Sequence, residues 1–344
     1  MELPLGMIPQ KGKAALAVDL GGTKTAGALI DDSGSILFSH QERTVQSGPE
    51  EGMVQIIELL EEIIRQSRIS RDEIAGIGIG IPAVLESETD LVLWAPNLNG
   101  WRNVPLRSKL EQHFNLPTRI EYDGHTAVLG EWWQGNGRGY RSLMNIIIGT
   151  GVGGGLILNE RLIRGSSRLA GAIGWFVIRN TQTSQQEIEQ ALGRWEAWVA
   201  GPALARQAQA LLAKKQGSTS SLQAFGHEVT AKEIFAAASK GDTLARHILS
   251  DWSELVGIGI ANVVSLVNPD VVILGGGVGC NAAEWIPRIQ ATVQKYAQPF
   301  SAQQVRILVS SLGNRAGLLG AAYALFYRLE QEKTLNLGKE VQQA

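Results

Sequence analysis

Cysteine is almost missing: the 344-residue chain has one, Cys280. A single thiol excludes an internal disulfide framework and a cysteine-based zinc site. Histidine is scarce too, with five residues at 40, 113, 125, 227 and 247 and no pair at metal-ligand spacing, so each reads as a surface or satisfied core side chain. Neither sign of charge dominates. The formal net charge is −2, with acids and bases mixed along the chain, which leaves no footprint for a nucleic-acid partner. No apolar run reaches membrane-spanning length, and Met1 to Lys13 lack the apolar core of a signal peptide. The expectation is a cytoplasmic protein with no membrane partner. The Walker spacing GxxxxGK[ST] is also absent.

Glycine is plentiful, at 40 residues, and 44% of the chain is hydrophobic, enough for two globular domains. Three times an apolar run of strand length ends in clustered glycines. Ala14–Leu20 runs into Gly21-Gly22-Thr23-Lys24, Leu143–Ile148 into Gly149-Thr150-Gly151-Val152-Gly153-Gly154, and Val271–Leu274 into Gly275-Gly276-Gly277. Glycine lets backbone N–H groups turn inward around an anion, and a Thr hydroxyl adds a side-chain donor. A lone Gly-Gly-Thr after a strand is more often a hairpin. Three such junctions point instead to nucleotide binding, with a polyphosphate held between two domains.

The order of elements alternates as in an α/β protein. Thr25–Leu29 and Ser35–Ser39 read as strands around the turn at Asp31–Gly34, and 49–68 has a one-face helical period. Ile74–Ile81 reads as a buried strand, Pro105–Phe114 as a helix, Thr118–Glu121 as a strand and Gly124–Trp133 as a helix. An irregular polar stretch is expected over Arg179–Gln190, then helices over 196–214, 231–240, 242–266, 281–297 and 315–331. No low-complexity linker separates the halves. The expected division is 1–122, rejoined by the helix near 315–331, and 123–314, with a hinge near Tyr122–Asp123.

In chain order, Asp19-Leu20-Gly21-Gly22-Thr23-Lys24, Ala95-Pro96-Asn97-Leu98-Asn99-Gly100-Trp101, Leu129-Gly130-Glu131 and Gly149–Gly155 resemble the ROK family of repressors and sugar kinases. The likeness continues through Trp195–Leu204, Asn268-Pro269-Asp270 to Gly277, and Ala316–Ala322, so it covers nearly the whole chain. It implies the two-domain actin/hexokinase-like (ribonuclease H-like) ATPase fold, α/β, with a cleft between domains. It further implies that Gly21, Gly22, Thr23 and Lys24 with Gly149, Thr150, Gly151 and Gly153 cradle ATP phosphates, although a solvated Lys24 is equally consistent. Gly276 and Gly277 would lie near the adenosine, and Asp19 would organise Mg²⁺ through water. Phosphoryl transfer needs such cations and N–H donors around the moving charge, with little covalent chemistry from the protein. Asp123 would be the general base taking the proton of the attacking hydroxyl; its place just before a helix also suits an N-cap. Relatives commonly dimerise, which makes a homodimer the implied assembly.

On the acceptor side the chain departs from the family. Kinases of the family carry Gly-Glu-x-Gly-His, whose Glu and His bind sugar hydroxyls and whose His also ligates zinc; here Gly171-Ala172-Ile173-Gly174-Trp175 stands there. The zinc cysteines are missing from Arg179–Arg194, and the Asn before the catalytic Asp is Tyr122. Asn97 or Asn99, and Glu196, remain. Exchanging these polar contacts for a methyl, an indole and a phenol should weaken glucose binding. It favours a deoxy or substituted hexose, or a cyclitol or carbasugar. The reading is therefore an ATP-dependent kinase of a sugar or sugar-like polyol, the alternative being a weak or inactive sugar-binding descendant. A DNA-binding repressor would need a helix-turn-helix before the first strand, and 18 residues before Asp19 are too few.

Without its ligands, zinc is not expected to be part of the protein, and 176–194 should be held by packing through Trp175, Trp195 and Trp198. Elemental analysis after dialysis should find no stoichiometric zinc, and a chelator should leave the melting temperature unchanged.

Overall fold

The computed structural model describes residues 5–6, 12–178, 193–214 and 219–343, so the polar stretch expected at Arg179–Gln190 lies outside the described residues. Two compact units emerge. One comprises Met1–Arg141, Gly155–Gly171 and Asn314–Ala344, the other Ser142–Gly154 and Ala172–Gly313.

The first unit opens with β1 (Ala14–Leu20), β2 (Lys24–Asp31) and β3 (Ile36–Arg43), an antiparallel meander in which Leu20 faces Thr25 across the glycine turn. Helix α1 (Pro49–Ser67) follows, with Pro at its first position, and buries Ile56, Leu59, Leu60 and Ile63. Strand β4 (Ile74–Ile81) pairs parallel with β1. A small antiparallel sheet of β5 (Val84–Leu85), β6 (Val92–Trp94) and β7 (Arg102–Val104), not foreseen in the sequence, leads to α2 (Leu106–Phe114). Strand β8 (Thr118–Tyr122) then joins β4 in parallel and runs straight into α3 (Asp123–Gln134). The resulting sheet has the order β3-β2-β1-β4-β8.

The glycines of β4 explain what covers this sheet. Ile77, Ile79 and Ile81 enter the apolar core, while Gly76, Gly78 and Gly80 alternate on the other face. A Cβ on Gly78 would come within 2.0 Å of the Ala321 carbonyl, and one on Gly80 within 2.6 Å of the Thr126 hydroxyl. Helices can therefore lie on the strand at backbone distance.

Strand β9 (Leu143–Ile148) belongs to the second unit, and the chain returns to the first within β10 (Val152–Leu158), which hairpins with β11 (Arg161–Ile163). Next in the second unit come α4 (Glu196–Val199), α5 (Gly201–Ala213), α6 (Ala231–Ser239) and the long α7 (Thr243–Val267). The helix expected over 196–214 is thus broken. Ala200 is extended, and the Gly201 N–H bonds to the Gly149 carbonyl at 2.8 Å instead of continuing the helical ladder. Strand β12 (Val271–Gly275) with α8 (Gly276–Gly279), α9 (Ile286–Tyr296), α10 (Pro299–Gln304) and β13 (Arg306–Val309) complete the unit. The helix expected from 281 begins at Ile286 after a 3₁₀ turn, and β13 was not anticipated. β12 pairs parallel with both β9 and β13. Trp195 is fully buried: its indole N–H reaches the Leu255 carbonyl at 3.1 Å and its ring fills the space left by Gly259. Trp175, expected as a packing anchor, is instead 59% exposed.

Helix α11 (Ala316–Gln343) returns to the first unit and packs on α3. A Cβ on Gly320 would stand 1.5 Å from the Thr126 carbonyl, and one on Gly130 would stand 2.1 Å from that of Ala316. This crossing keeps α3 with the first unit, so the chain does not divide at 122/123 as expected; 123–141 and 155–171 stay with the N-terminal sheet. Among the described residues no helix is long and apolar enough to cross a membrane.

Gly320→Ala should destabilise the protein by about 1–3 kcal/mol or more, because the methyl meets a backbone carbonyl that cannot rotate away. Gly277→Ala, at a position with no atom within 4 Å of the added carbon, should match or slightly exceed the parent. Urea midpoints at unchanged m-value are the measure.

Candidate active site

β1 and β8 run parallel on either side of β4, with Asp19 opposite Gly80 and Gly80 opposite Glu121. The residues that leave these strands therefore emerge at one sheet edge, roughly 10 Å apart at two strand spacings. Asp19 stands there beside the first turn of α11, where a Cβ on Gly317 would lie 2.7 Å from its carboxyl carbon. Burial raises Asp19 from 3.8 to about 6, against the opposing pull of the Lys24 ammonium. Asp123 is the first residue of α3, and the cap position falls to Tyr122. Its Oδ1 accepts the Gly124 N–H at 2.7 Å. Burial, and next the negative charge of Asp19, raise Asp123 to about 7, with the Gly124 N–H pulling the other way. The sequence-expected base and metal residue thus lie close enough to feel one another's charge.

The first glycine turn is a hairpin turn, closed by the Gly21 N–H to the Lys24 carbonyl at 3.0 Å. It is braced from outside. The Thr44 hydroxyl donates to the Gly21 carbonyl at 2.6 Å, and the Gln46 amide donates to that of Gly22 at 2.5 Å. Gln46 also accepts the Asn99 N–H at 3.3 Å on its Oε1 and the Asn99 side-chain amide at 3.2 Å on its backbone oxygen. Asn99 is thereby committed to Gln46, whereas the exposed Asn97 lays its carbonyl against Gly22, 2.9 Å from where a Cβ would be. Gln46 was missed in the sequence because an isolated Gln in a loop carries no motif.

Within the second unit the other two glycine turns come together. The Gly149 N–H closes its turn on the Gly151 carbonyl at 2.9 Å. Gly276, at φ +79°, packs so that a Cβ would meet the Ile148 carbonyl at 2.5 Å; only glycine fits there. Gly277 N lies 3.8 Å from the Cβ position of Gly149. Thr150 is exposed and Gly153 half-buried in β10. Glu196 sits beside the same turn, its Oε2 accepting the Val152 N–H at 2.7 Å. Burial raises its pKa, and the Val152 N–H lowers it in part. A Cβ on Gly174 would lie 3.4 Å from the same carboxylate, which puts the Ala172–Trp175 turn next to Glu196, with Ala172 half-buried.

The donor sets differ in what they fit. Asp19 offers the hard carboxylate oxygen that Mg²⁺ takes. Where the resemblance puts a zinc ligand stands the Trp175 indole, a donor with no lone pair for a metal, and no group of metal-binding residues occurs among the described residues. Those residues do not fit zinc.

A model of the ROK family matches residues 15–327, and the chain belongs to that family. It is 30% identical over 329 residues to a glucokinase of Halalkalibacterium halodurans, covering 95% of this chain and 98% of that one. A xylose repressor of Caldicellulosiruptor bescii is 29% identical over 310 residues, 89% of this chain and 76% of the repressor. Among solved structures, a ROK family glucokinase from Streptomyces griseus, in complex with glucose and AMPPNP, superposes with a TM-score of 0.75 at 29% identity, covering 90% of this chain and 98% of that one. The two-domain α/β fold of the hexokinase-like kinases is thereby shown.

Both raised carboxyls bind protons more tightly folded than unfolded. Their contribution to stability is complete below about pH 4 and is lost as pH rises through about 6 to 7. In magnesium-free buffer, Asp123→Asn should therefore melt above the parent at pH 8, with the gap closing toward pH 4. A gap independent of pH would show that Asp123 ionises normally.

Proposed function

We propose that this protein transfers the γ-phosphoryl group of ATP to a hydroxyl of a sugar or sugar-like polyol. The observation that carries the reading is that Asp19, just before the first glycine turn, and Asp123 leave parallel strands at one sheet edge, with burial and the Asp19 charge raising Asp123 to about 7. A base whose pKa lies near the working pH is the best compromise between being ionised and holding a proton strongly. Asp123 takes the proton of the acceptor hydroxyl as its oxygen bonds to the γ-phosphorus and the bond to the ADP oxygen breaks. Gly22, Thr23 and Lys24, with Thr150, Gly151 and Gly153, supply donors to the phosphates in turns that Gly21 and Gly149 close through their own N–H groups, and Gly276 and Gly277 leave room for the adenosine. Asp19 would hold Mg²⁺ through water, and the ion when bound offsets phosphate charge.

On the acceptor side Glu196 and Asn97 remain as hydroxyl-binding groups, since Asn99 is tied to Gln46. Tyr122, Ala172 and Trp175 present a phenol, a methyl and an exposed indole. These favour a ring with fewer or differently placed hydroxyls, such as a deoxyhexose or a cyclitol. The same swaps, together with a repressor among the relatives, support a second reading: a sugar-binding protein with little turnover.

ADP release with glucose, glucosamine, 2-deoxyglucose and myo-inositol separates the two. Turnover of at least one acceptor is expected, with glucose not the best; sub-millimolar glucose ahead of all others would refute the altered specificity, and no turnover at all would favour the binding protein. Asp123→Asn should keep nucleotide binding and lose about 10²–10⁴-fold in rate. More than roughly a tenth of parental activity would mean that the base lies elsewhere.

A further inference from the structure

Two residues after Glu121 comes Asp123, and two residues after Asp123 comes His125. Both flanking side chains are fully buried and neither belongs to the transfer chemistry above. Glu121 Oε1 accepts from Arg119 Nη2 at 2.6 Å and from Arg164 Nη2 at 2.8 Å, and Oε2 lies 3.4 Å from Arg168 Nη2. Burial works to raise this carboxyl, but Arg119 and Arg164, then the His125 hydrogen bond and Arg168, hold it well below the usual carboxylate range. Arg168 continues the network. It donates to Asp90 Oδ1 at 2.5 Å, to the Ile120 carbonyl at 2.9 Å and to the Glu86 carbonyl at 3.2 Å. Arg119 reaches the same Asp90 at 3.3 Å. His125 completes it, with Nδ1 3.4 Å from Glu121 Oε2 and Nε2 donating to the Ala170 carbonyl at 3.1 Å.

The backbone is held against its own preference here. Arg168 and Asp90 both sit in the left-handed region, at φ +56° and +57°. Non-glycine residues stay there only where their surroundings over-determine them. Both carry the charges that bind them to each other. The loop 164–171 is thus drawn onto the strand–helix junction that carries Asp123, and its last residue, Gly171, is followed directly by Ala172.

We propose that the loop 164–171 is clasped to the β8–α3 junction by Glu121, Arg168 and His125, with His125 a positioning residue for acceptor binding. The His125–Ala170 hydrogen bond holds the loop whose end leads through Gly171 into the Ala172–Trp175 turn, while the ion pairs with Glu121 fix the junction that delivers Asp123. This rests on the kinase reading for its functional consequence and on the loop geometry alone for its structural one.

Stripping Glu121 or Arg168 would leave a buried charge without its partner and invite unfolding, so the test falls on His125. In His125→Gln the amide nitrogen takes the place of Nε2 and can still donate to Ala170; in His125→Asn it takes the place of Nδ1 and cannot. Hydrogen–deuterium exchange reads the amides of Arg168 and Ala170, which bond to the carbonyls of Gly165 and Arg164. Exchange should quicken in the Asn variant and stay near parental in the Gln variant. With the best acceptor of the four-compound panel, the Asn variant should raise the acceptor KM about tenfold or more, leave the ATP KM unchanged, and be rescued in the Gln variant. Equal behaviour of the two variants, or unchanged loop exchange in the Asn variant, overturns the clasp. If the parent phosphorylates none of the panel, the kinase reading fails and the exchange result alone decides the clasp.

Discussion

Contact between backbones, made possible by glycine, is the constraint on which the first unit depends. Gly78 and Gly80 open one face of β4, and Gly130 and Gly320 let α3 and α11 cross without side chains between them. Because the helices lie so close, both begin at the edge where β1 and β8 end. Helix N-termini carry partial positive charge and free N–H groups. Asp19 and Asp123 are placed among them, one beside the first turn of α11 and one as the first residue of α3. Their desolvation follows from the same close packing, so the geometry that seats the two carboxyls also raises their pKa values.

Much of this was legible in the sequence, and for a physical reason. A glycine cluster at the end of an apolar run, an aspartate at a strand end and a one-face helical period are local signals. β1, the first hairpin, α1, β4 and β8 follow from them almost as read. Asp123 stood out as a candidate through its place between Thr118–Tyr122 and the Leu129-Gly130-Glu131 helix. What could not be read has partners distant in the chain. Arg164 and Arg168 look like solvated charges until the fold brings them to Glu121 and Asp90. His125 looked like one scattered histidine among five. The break at Ala200 depends on the Gly149 carbonyl, about fifty residues away, capturing an N–H that local propensity assigns to a helix.

The positions proposed for acceptor binding show the converse: there the sequence departs from the family pattern, and the structure gives each departure its surroundings. Trp175 replaces a polar residue of the family pattern and is exposed rather than packed, while Trp195, next to Glu196, does the packing. One indole is thus open to solvent and the other is packed beside the carboxylate. Gln46 divides the two asparagines similarly, holding Asn99 and leaving Asn97 free of that bond.

The path of the chain has a consequence for how the protein is made. The N-terminal sheet is translated well before α11, the helix that covers the glycine face of β4. The second unit, lying between them in sequence, can gather its own core while the first still exposes an uncovered strand face. Contacts of such large sequence separation form late and slowly. A nascent chain of this protein therefore carries an incomplete N-terminal sheet until α11 has been made, although that sheet comes first in the sequence.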